Sequence, residues 1–508
     1  MKLKVKILKI DTFVEPFCYL NKETSRELGV HSLERVVISK RKERVSGIVN
    51  ICDENIVRSN EIGISESLRK LLNLKSGEVV NVERREELLS KLYIKKRIEG
   101  KELKKDEIYQ IVKDIVTRKI STLRLSALVT AYQIYGMSIK EAAYFSMAMA
   151  DVGEKLKLNG KILDKHSLGG IPGDKTSLIL VPTVAALGYT IPKTSSRAIT
   201  DPAGTADRAE VLMHVDLKIE KIKKIVKRVK GCIVWGGALN LAPADDVIIS
   251  AERPLSLDSF LIPSILAKKY AVGAKFLVLD FPVGKHTKLK NMNKAKALFE
   301  RFKMIGKMLN MKINAVVTNG SQPLGTTVGP ALEVREVLEV LEKKDTNADF
   351  VRKACFMTAV LLNMVGNMNI EDGIEKAKKC IKNGKSEKKL REIIKAQGGN
   401  PKIKSKDIEI GAFSFTVKAR KNGYVTRINN DSIKVLGRSA GAPLDKGAGI
   451  LLHKKIGDPV EKGEKLFEIY AETKSKLKEC IKLTKHLEVY TISSYKPKVK
   501  DIILGWLR

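Results

Sequence analysis

From about Gly160 to Gly399, short apolar runs alternate with Gly-containing turns and longer helical stretches, and no other feature restricts the fold of this chain so strongly. Lys275 to Asp280 and Ile313 to Thr318 have strand length, whereas Leu178 to Leu187 reads as a helix. That alternation predicts an α/β sheet, with ligands held at the carboxyl ends of its strands.

The flanks have different textures. Residues 1 to about 84 carry short alternating runs, Arg35 to Ser39 and Glu78 to Glu83, the second after the turn Lys75-Ser76-Gly77. They predict a β-rich domain. From Leu88 to about Lys157 the pattern is helical. Gly136 ends a helix containing Leu125, Leu128, Val129 and Tyr132, and Ser138 with Glu141 has capping-box spacing before an apolar face through Phe145 and Met149. After Ile408, turns at Asn422-Gly423, Gly457-Asp458-Pro459 and Glu461-Lys462-Gly463 separate short strands. The expected organisation is multidomain α/β. It comprises an N-terminal β-rich domain over 1–84 and a helical domain over 85–158, completed by about 245–272. A large α/β domain with phosphate-binding loops follows over 159–244 and 273–408, and a C-terminal β region over 409–508.

Composition narrows the function. Lys and Arg number 94 against 58 Asp and Glu, a net charge of +36, which suits a nucleic acid, an anionic small substrate or merely a lysine-rich proteome. Aromatics make up only 5% and the lysines are spread through amphipathic stretches, so a basic groove with stacking platforms is poorly supported. No run approaches the roughly 20 apolar residues of a membrane helix, and Met1 to Ile10 lacks a signal-peptide core. The cysteines, Cys18, Cys52, Cys232, Cys355, Cys380 and Cys480, form no CxxC or Cys/His cluster, so reduced thiols, a cytoplasmic location and no metal site are expected.

Two segments carry chemistry. Asp164-Lys165-His166-Ser167-Leu168-Gly169-Gly170-Ile171-Pro172-Gly173-Asp174-Lys175-Thr176-Ser177 precedes the helical run at Leu178. Glycines let backbone N–H groups approach an anion, hydroxyls and Lys165 add donors, and the helix N-terminus attracts negative charge. It reads as a phosphate cradle without the GxxxxGK[ST] of a Walker A loop, beside the alternative of a Gly-rich connection that binds nothing. In Ser195 to Glu210, the hydroxyls of Ser195, Ser196, Thr200 and Thr205 suit phosphate or ribose oxygens, while Asp207 and Glu210 suit orienting the loop or accepting from sugar hydroxyls.

Together the segments resemble the thymidine and pyrimidine-nucleoside phosphorylase family, whose signature S-x-R-x-x-x-x-x-x-G-T-x-D-x-x-E is matched by Ser195, Arg197, Gly204, Thr205, Asp207 and Glu210. The resemblance spans about 420 residues and includes Ser146 to Met149, Leu241 to Asp245, Ser264 to Lys269, Asn319 to Gly329 and Ala331 to Glu336. It implies that Lys165, Ser167, Ser177, Ser195 and Thr205 hold the attacking phosphate in a cleft between helical and α/β domains. His166 would lie near the sugar, and Ser264 and Lys268 would occupy base-contacting positions.

Several departures point to one branch. Pro172 is an extra residue in the first loop, Ala198 to Ala203 replaces a Gly- and His-containing stretch, and Asp258 to Ser264 is shorter than in the bacterial nucleoside enzymes. With the added N-terminal block, they resemble the archaeal AMP phosphorylases. That resemblance implies a nucleotide site at Gly170, Ser196, Arg197, Ala198, Ile199, Thr200, Asp201, Thr205, Ser264 and Lys288, with Asp258 as proton donor to the leaving base. It implies AMP and inorganic phosphate as substrates, with CMP and UMP beside AMP, release of ribose 1,5-bisphosphate, no cofactor, and a homodimer or larger homo-oligomer built with the N-terminal block.

The chemistry is consistent on its own terms, because phosphate attack at the anomeric carbon passes through an oxocarbenium-like centre and leaves charge on the base, which a carboxylic acid can quench. For Asp258 the alternative is a capping aspartate, and for Lys288 a solvated surface lysine. The C-terminal region looks like the hammerhead barrel that ends this family and also resembles biotinyl-lipoyl carriers, but it has no Met-Lys-Met hairpin. An ordinary nucleoside phosphorylase and a basic nucleic-acid-binding protein are the other readings. The anthranilate phosphoribosyltransferase architecture is related, but the signature at Ser195 to Glu210 argues against that activity.

Overall fold

Alternating apolar residues close the first six strands into a barrel: β1 (Lys2–Ile7), β2 (Phe17–Asn21), β3 (Arg35–Lys40), β4 (Glu43–Cys52), β5 (Glu61–Ile64) and β6 (Val79–Arg84), in the order β1-β5-β2-β4-β3-β6. Every second residue turns inward, as Leu3 and Val5, Val36 and Ile38, and Val80 and Val82 show, and closure leaves no free strand edge. The computed structural model describes residues 1–11, 16–84, 88–198, 201–366 and 368–508, which divide into two units, Met1–Tyr135 and Gly136–Arg508. The first unit adds the helices Leu89–Ile98, Lys105–Val116 and Thr122–Tyr135, with Ile108, Ile111, Val112 and Ile115 buried at helical spacing.

The second unit begins at Gly136, whose φ of 73° is easiest for glycine. Its first helix, Ile139–Asp151, has the expected capping box: Glu141 N–H donates to Ser138 Oγ at 3.3 Å and Ser138 N–H to Glu141 Oε2 at 3.0 Å. Phe145 on this helix meets Phe260 edge to face at 4.9 Å, just before the helix Leu261–Ala271.

The α/β core contains five parallel strands, β7 (Leu163–Ser167), β8 (Ile191–Ser195), β9 (Gly231–Trp235), β10 (Phe276–Val283) and β11 (Lys312–Asn319). β7 pairs with β10 and β10 with β11, while β8 and β9 form a separate ribbon joined to the β7 side by one bridge, Ile162 to Thr190. Across this core the strands run β9, β8, β7, β10, β11. The chain therefore reverses its direction of travel between β7 and β10, the position where α/β sheets hold ligands.

The remaining strands are β12 (Thr327–Val328), β13 (Phe413–Lys418), β14 (Gly423–Ile428), β15 (Gly449–Leu452), β16 (Pro459–Val460), β17 (Lys465–Ala471), β18 (Tyr490–Ser493) and β19 (Ile503–Leu507). They form the sheets β12-β15-β17-β13 and β16-β14-β18 around Val425, Ile433, Leu436, Ile450 and Ile469. β12 thus joins the C-terminal sheet, and β19 returns antiparallel to β11. No helix among the described residues is long and apolar enough to cross a membrane.

Candidate active site

The carboxyl ends of β7 and β10 place Ser167 and Asp280 side by side, and Ser167 Oγ donates to Asp280 Oδ2 at 2.7 Å. Asp280 is fully buried. It also accepts from Thr318 Oγ1 at 2.8 Å and meets Lys353 Nζ at 2.7 Å. Lys165, 3% exposed, lies 3.5 Å from Asp174 and 3.8 Å from Asp280, and Lys353 lies 3.6 Å from Asp174. Two lysines and two aspartates thus balance one another. Burial pushes the Asp174 carboxyl up, but the Lys165 and Lys353 charges prevail and hold it well below the usual carboxylate range. Burial likewise opposes the Lys353 charge, and Asp174 and Asp280 overcome it.

The loop after β7 folds back over this network. Gly170 adopts φ 92°, with its α-carbon side turned toward the Thr287 and Lys288 backbone. At Gly173, φ is 81° and a β-carbon would stand 2.4 Å from Leu324 O, so only glycine fits. Lys175 is no phosphate ligand in this arrangement, being bonded to Leu324 O, Thr327 and Glu336. Asp174 accepts from Thr176 Oγ1 at 2.6 Å, and the helix Thr176–Ala186 starts with Ser177 buried in its first turn.

The loop after β8 is held from within. Asp207 Oδ2 accepts from the backbone N–H of Ala198 at 2.7 Å and of Gly204 at 2.9 Å. Arg197 forks onto Glu210 at 2.7 and 2.5 Å and stacks 4.9 Å from the Trp235 ring centre. Asp207 and Glu210 therefore orient the loop. Ser195 ends β8, Ser196 is exposed, and Thr205 opens the short helix Thr205–Glu210. Ile199 and Thr200 lie outside the described residues. The C-terminal region braces this loop: Lys446 meets Glu210 at 2.6 Å, Lys434 lies 3.6 Å from Asp201, and Pro202 packs against Gly437. Arg197 and Lys446 together pull the Glu210 carboxyl down to about 2.

On the helix Leu261–Ala271, Ser264 and Lys268 are four residues apart and share one half-buried face. Lys268 Nζ reaches Asp245 at 2.5 Å, and buried Lys269 reaches Asp164 at 2.7 Å. Burial and the Lys269 charge drive the His166 imidazole well below its ordinary range.

Asp258 and Lys288 come together, with Asp258 Oδ2 3.0 Å from Lys288 Nζ, the two side chains 64% and 42% exposed. The capping carboxylate of this turn is Glu252, whose Oε1 accepts from Ser259 Oγ at 2.7 Å and Phe260 N–H at 2.9 Å. The Asp258 side chain is thereby free of any capping duty. Near Lys288, His286 Nδ1 lies 2.7 Å from Asp431 of the C-terminal region.

Sequence reasoning missed Lys353, the role of Asp280, and the braces Lys434 and Lys446. Asp280 had a signal, a carboxylate at the end of a buried parallel strand. Lys353 had one too, as a lysine on the apolar face of the helix Asp349–Gly366, between Phe350 and Met357. The braces come from residues more than two hundred positions away and had no local signal. Among the described residues, no group of three His, Cys, Asp or Glu side chains is placed to hold a metal ion.

Comparison with known proteins agrees with this architecture. Residues 91–153 match the glycosyl transferase family helical bundle domain, 159–387 the glycosyl transferase family a/b domain, and 424–491 the pyrimidine nucleoside phosphorylase C-terminal domain. Anthranilate phosphoribosyltransferase from Thermus thermophilus has a similar fold, with a TM-score of 0.51 at 17% identity over 60% of this chain and 98% of that one. Much nearer in sequence is the AMP phosphorylase of Thermofilum pendens, 45% identical over 94% of this chain and 92% of its own. The Pyrococcus furiosus AMP phosphorylase is 45% identical over 96% and 97%, and that of Methanocaldococcus jannaschii 40% over 99% and 98%. With such identity over nearly its whole length, and with the two signature loops built as described, the chain belongs to the AMP phosphorylase family.

Proposed function

We propose that this protein catalyses the phosphorolysis of AMP, with inorganic phosphate as co-substrate and no cofactor, to adenine and ribose 1,5-bisphosphate, and that CMP and UMP are also substrates. A phosphate oxygen attacks the anomeric carbon, the glycosidic C–N bond breaks, and its electron pair leaves on the base, which takes a proton from Asp258. Lys165, Ser167, Ser177, Ser195 and Thr205 hold the attacking phosphate. Gly170, Ser196 to Asp201, Thr205, Ser264 and Lys288 hold the nucleotide, with Lys288 on its 5′-phosphate and His166 and Lys268 supporting sugar and base.

One observation carries the reading. In a chain 45% identical to AMP phosphorylases, buried Lys165 and half-buried Ser167 stand together at the carboxyl end of β7, with Lys165 Nζ 3.5 Å from Asp174 and 3.8 Å from Asp280. The C-terminal sheets are read as a hammerhead-like end region, the N-terminal barrel as an assembly module of a homodimer or larger oligomer, and the location as cytoplasmic.

The test is incubation with phosphate and AMP, CMP, UMP, adenosine or thymidine, with free base and ribose 1,5-bisphosphate followed by chromatography. Base release from thymidine but not from AMP overturns the reading.

A further inference from the structure

Lys193 stands on β8 two residues before Ser195, just as Lys165 stands on β7 two residues before Ser167. Counted from the Ile162 to Thr190 bridge, Lys193 occupies the rung of Lys165, and Ser195 that of Ser167. Side chains two apart share a strand face, so two Lys-x-Ser steps flank the open line between β7 and β8.

The charges around Lys193 set it apart. Lys165 and Lys353 are matched by Asp174 and Asp280, Lys269 by Asp164, Lys175 by Glu336 and Arg208 by Glu333. Lys193, 4% exposed, has no carboxylate of its own among the described residues. Its Nζ donates to Thr194 O at 3.0 Å, an oxygen that Lys269 Nζ also approaches at 3.5 Å. The charged groups facing it are Lys269, Asp164 and Lys165, and it in turn acts on His166. Burial and the Lys269 charge push its amine well below the ordinary lysine range, with Asp164 alone opposing them.

We propose that Lys193 is a phosphate-positioning residue, a buried amine that takes a proton from solvent and becomes an ammonium as inorganic phosphate enters between Lys165-Ser167 and Ser195. The inference rests on the phosphorolysis reading. An incoming dianion supplies the negative charge that Lys193 lacks, so phosphate entry and proton uptake are linked. The proton returns to solvent once phosphate has left the site.

The test is calorimetric titration of the full-length protein with inorganic phosphate near pH 8, where phosphate is already mostly the dianion, in two buffers of different ionisation enthalpy. Wild type takes up close to one proton per phosphate bound. Lys193→Met loses that uptake and raises KM for phosphate by at least about tenfold, with KM for AMP within about twofold. His166→Gln keeps the uptake, because the proton does not go to the imidazole. Absence of uptake in wild type, its persistence in Lys193→Met, or its loss in His166→Gln overturns the proposal, and the wild-type and His166→Gln measurements decide even if Lys193→Met does not fold. Wild type that releases no adenine from AMP sinks the phosphorolysis reading instead, whereas an active enzyme without proton uptake sinks only the role of Lys193.

Discussion

Lys288 Nζ stands 3.0 Å from Asp258 Oδ2, so the residue proposed for the 5′-phosphate and the residue proposed as acid are paired with each other. While the pair is formed, the Lys288 ammonium occupies Oδ2. A 5′-phosphate that draws Lys288 away releases that oxygen, and a nucleoside without the phosphate does not.

Lys288→Met is therefore expected to raise KM for AMP by about tenfold or more, the worth of a charge-assisted contact to phosphate, while adenosine turnover does not fall. Steady-state kinetics on both substrates check this. An equal loss on AMP and adenosine contradicts the assignment.

Asp258→Asn keeps the shape of the turn, because Glu252 and not Asp258 caps it. Turnover of AMP is expected to drop by about 10² to 10⁴, the usual contribution of a general acid, with KM little changed. Unchanged turnover removes Asp258 from the role.

Lys353 is fully buried against Asp280 and Asp174. Its replacement by methionine leaves those carboxylates short of one cation, which is expected to destabilise the fold by about 3–5 kcal/mol. Denaturant titration measures it. A Lys353→Met protein as stable as wild type shows that Lys165 alone suffices.

The Arg197–Glu210–Lys446 cluster predicts a pH effect. Glu210 has a folded value of about 2 against an ordinary value of 4.5, so its contribution to stability is present above about pH 4.5 and lost as pH falls toward 2. Glu210→Gln is expected to flatten the acid limb of thermal stability over that window. A limb identical to wild type means that the cluster does not hold the loop in solution.

Much of the fold was legible in local pattern. The runs Lys275 to Asp280 and Ile313 to Thr318 are the cores of β10 and β11, and the Ser138–Glu141 spacing is a formed capping box. These features depend on residues within a few positions of one another. The site was legible only where a loop declares itself: Lys165 to Ser177 and Ser195 to Glu210 do lie at strand ends, but their supports do not show in local sequence. Lys353, Lys434 and Lys446 reach the loops through tertiary contact, and among 94 basic residues nothing marks them out. Likewise, the exposure of Asp258 and its pairing with Lys288 follow from how two loops meet.

The return of β19 to β11 makes the catalytic sheet depend on residues far along the chain, as the contact from Asn319 Nδ2 to Lys500 O, 181 positions away, illustrates. At about 5–20 residues per second, a ribosome needs about 10–40 s to make that stretch. For all of that time the outer edge of β11 has no partner strand, and an unpaired edge is a template for other chains. The waiting edge is a vulnerability of synthesis rather than of the finished protein, whose β11 edge is covered by β19.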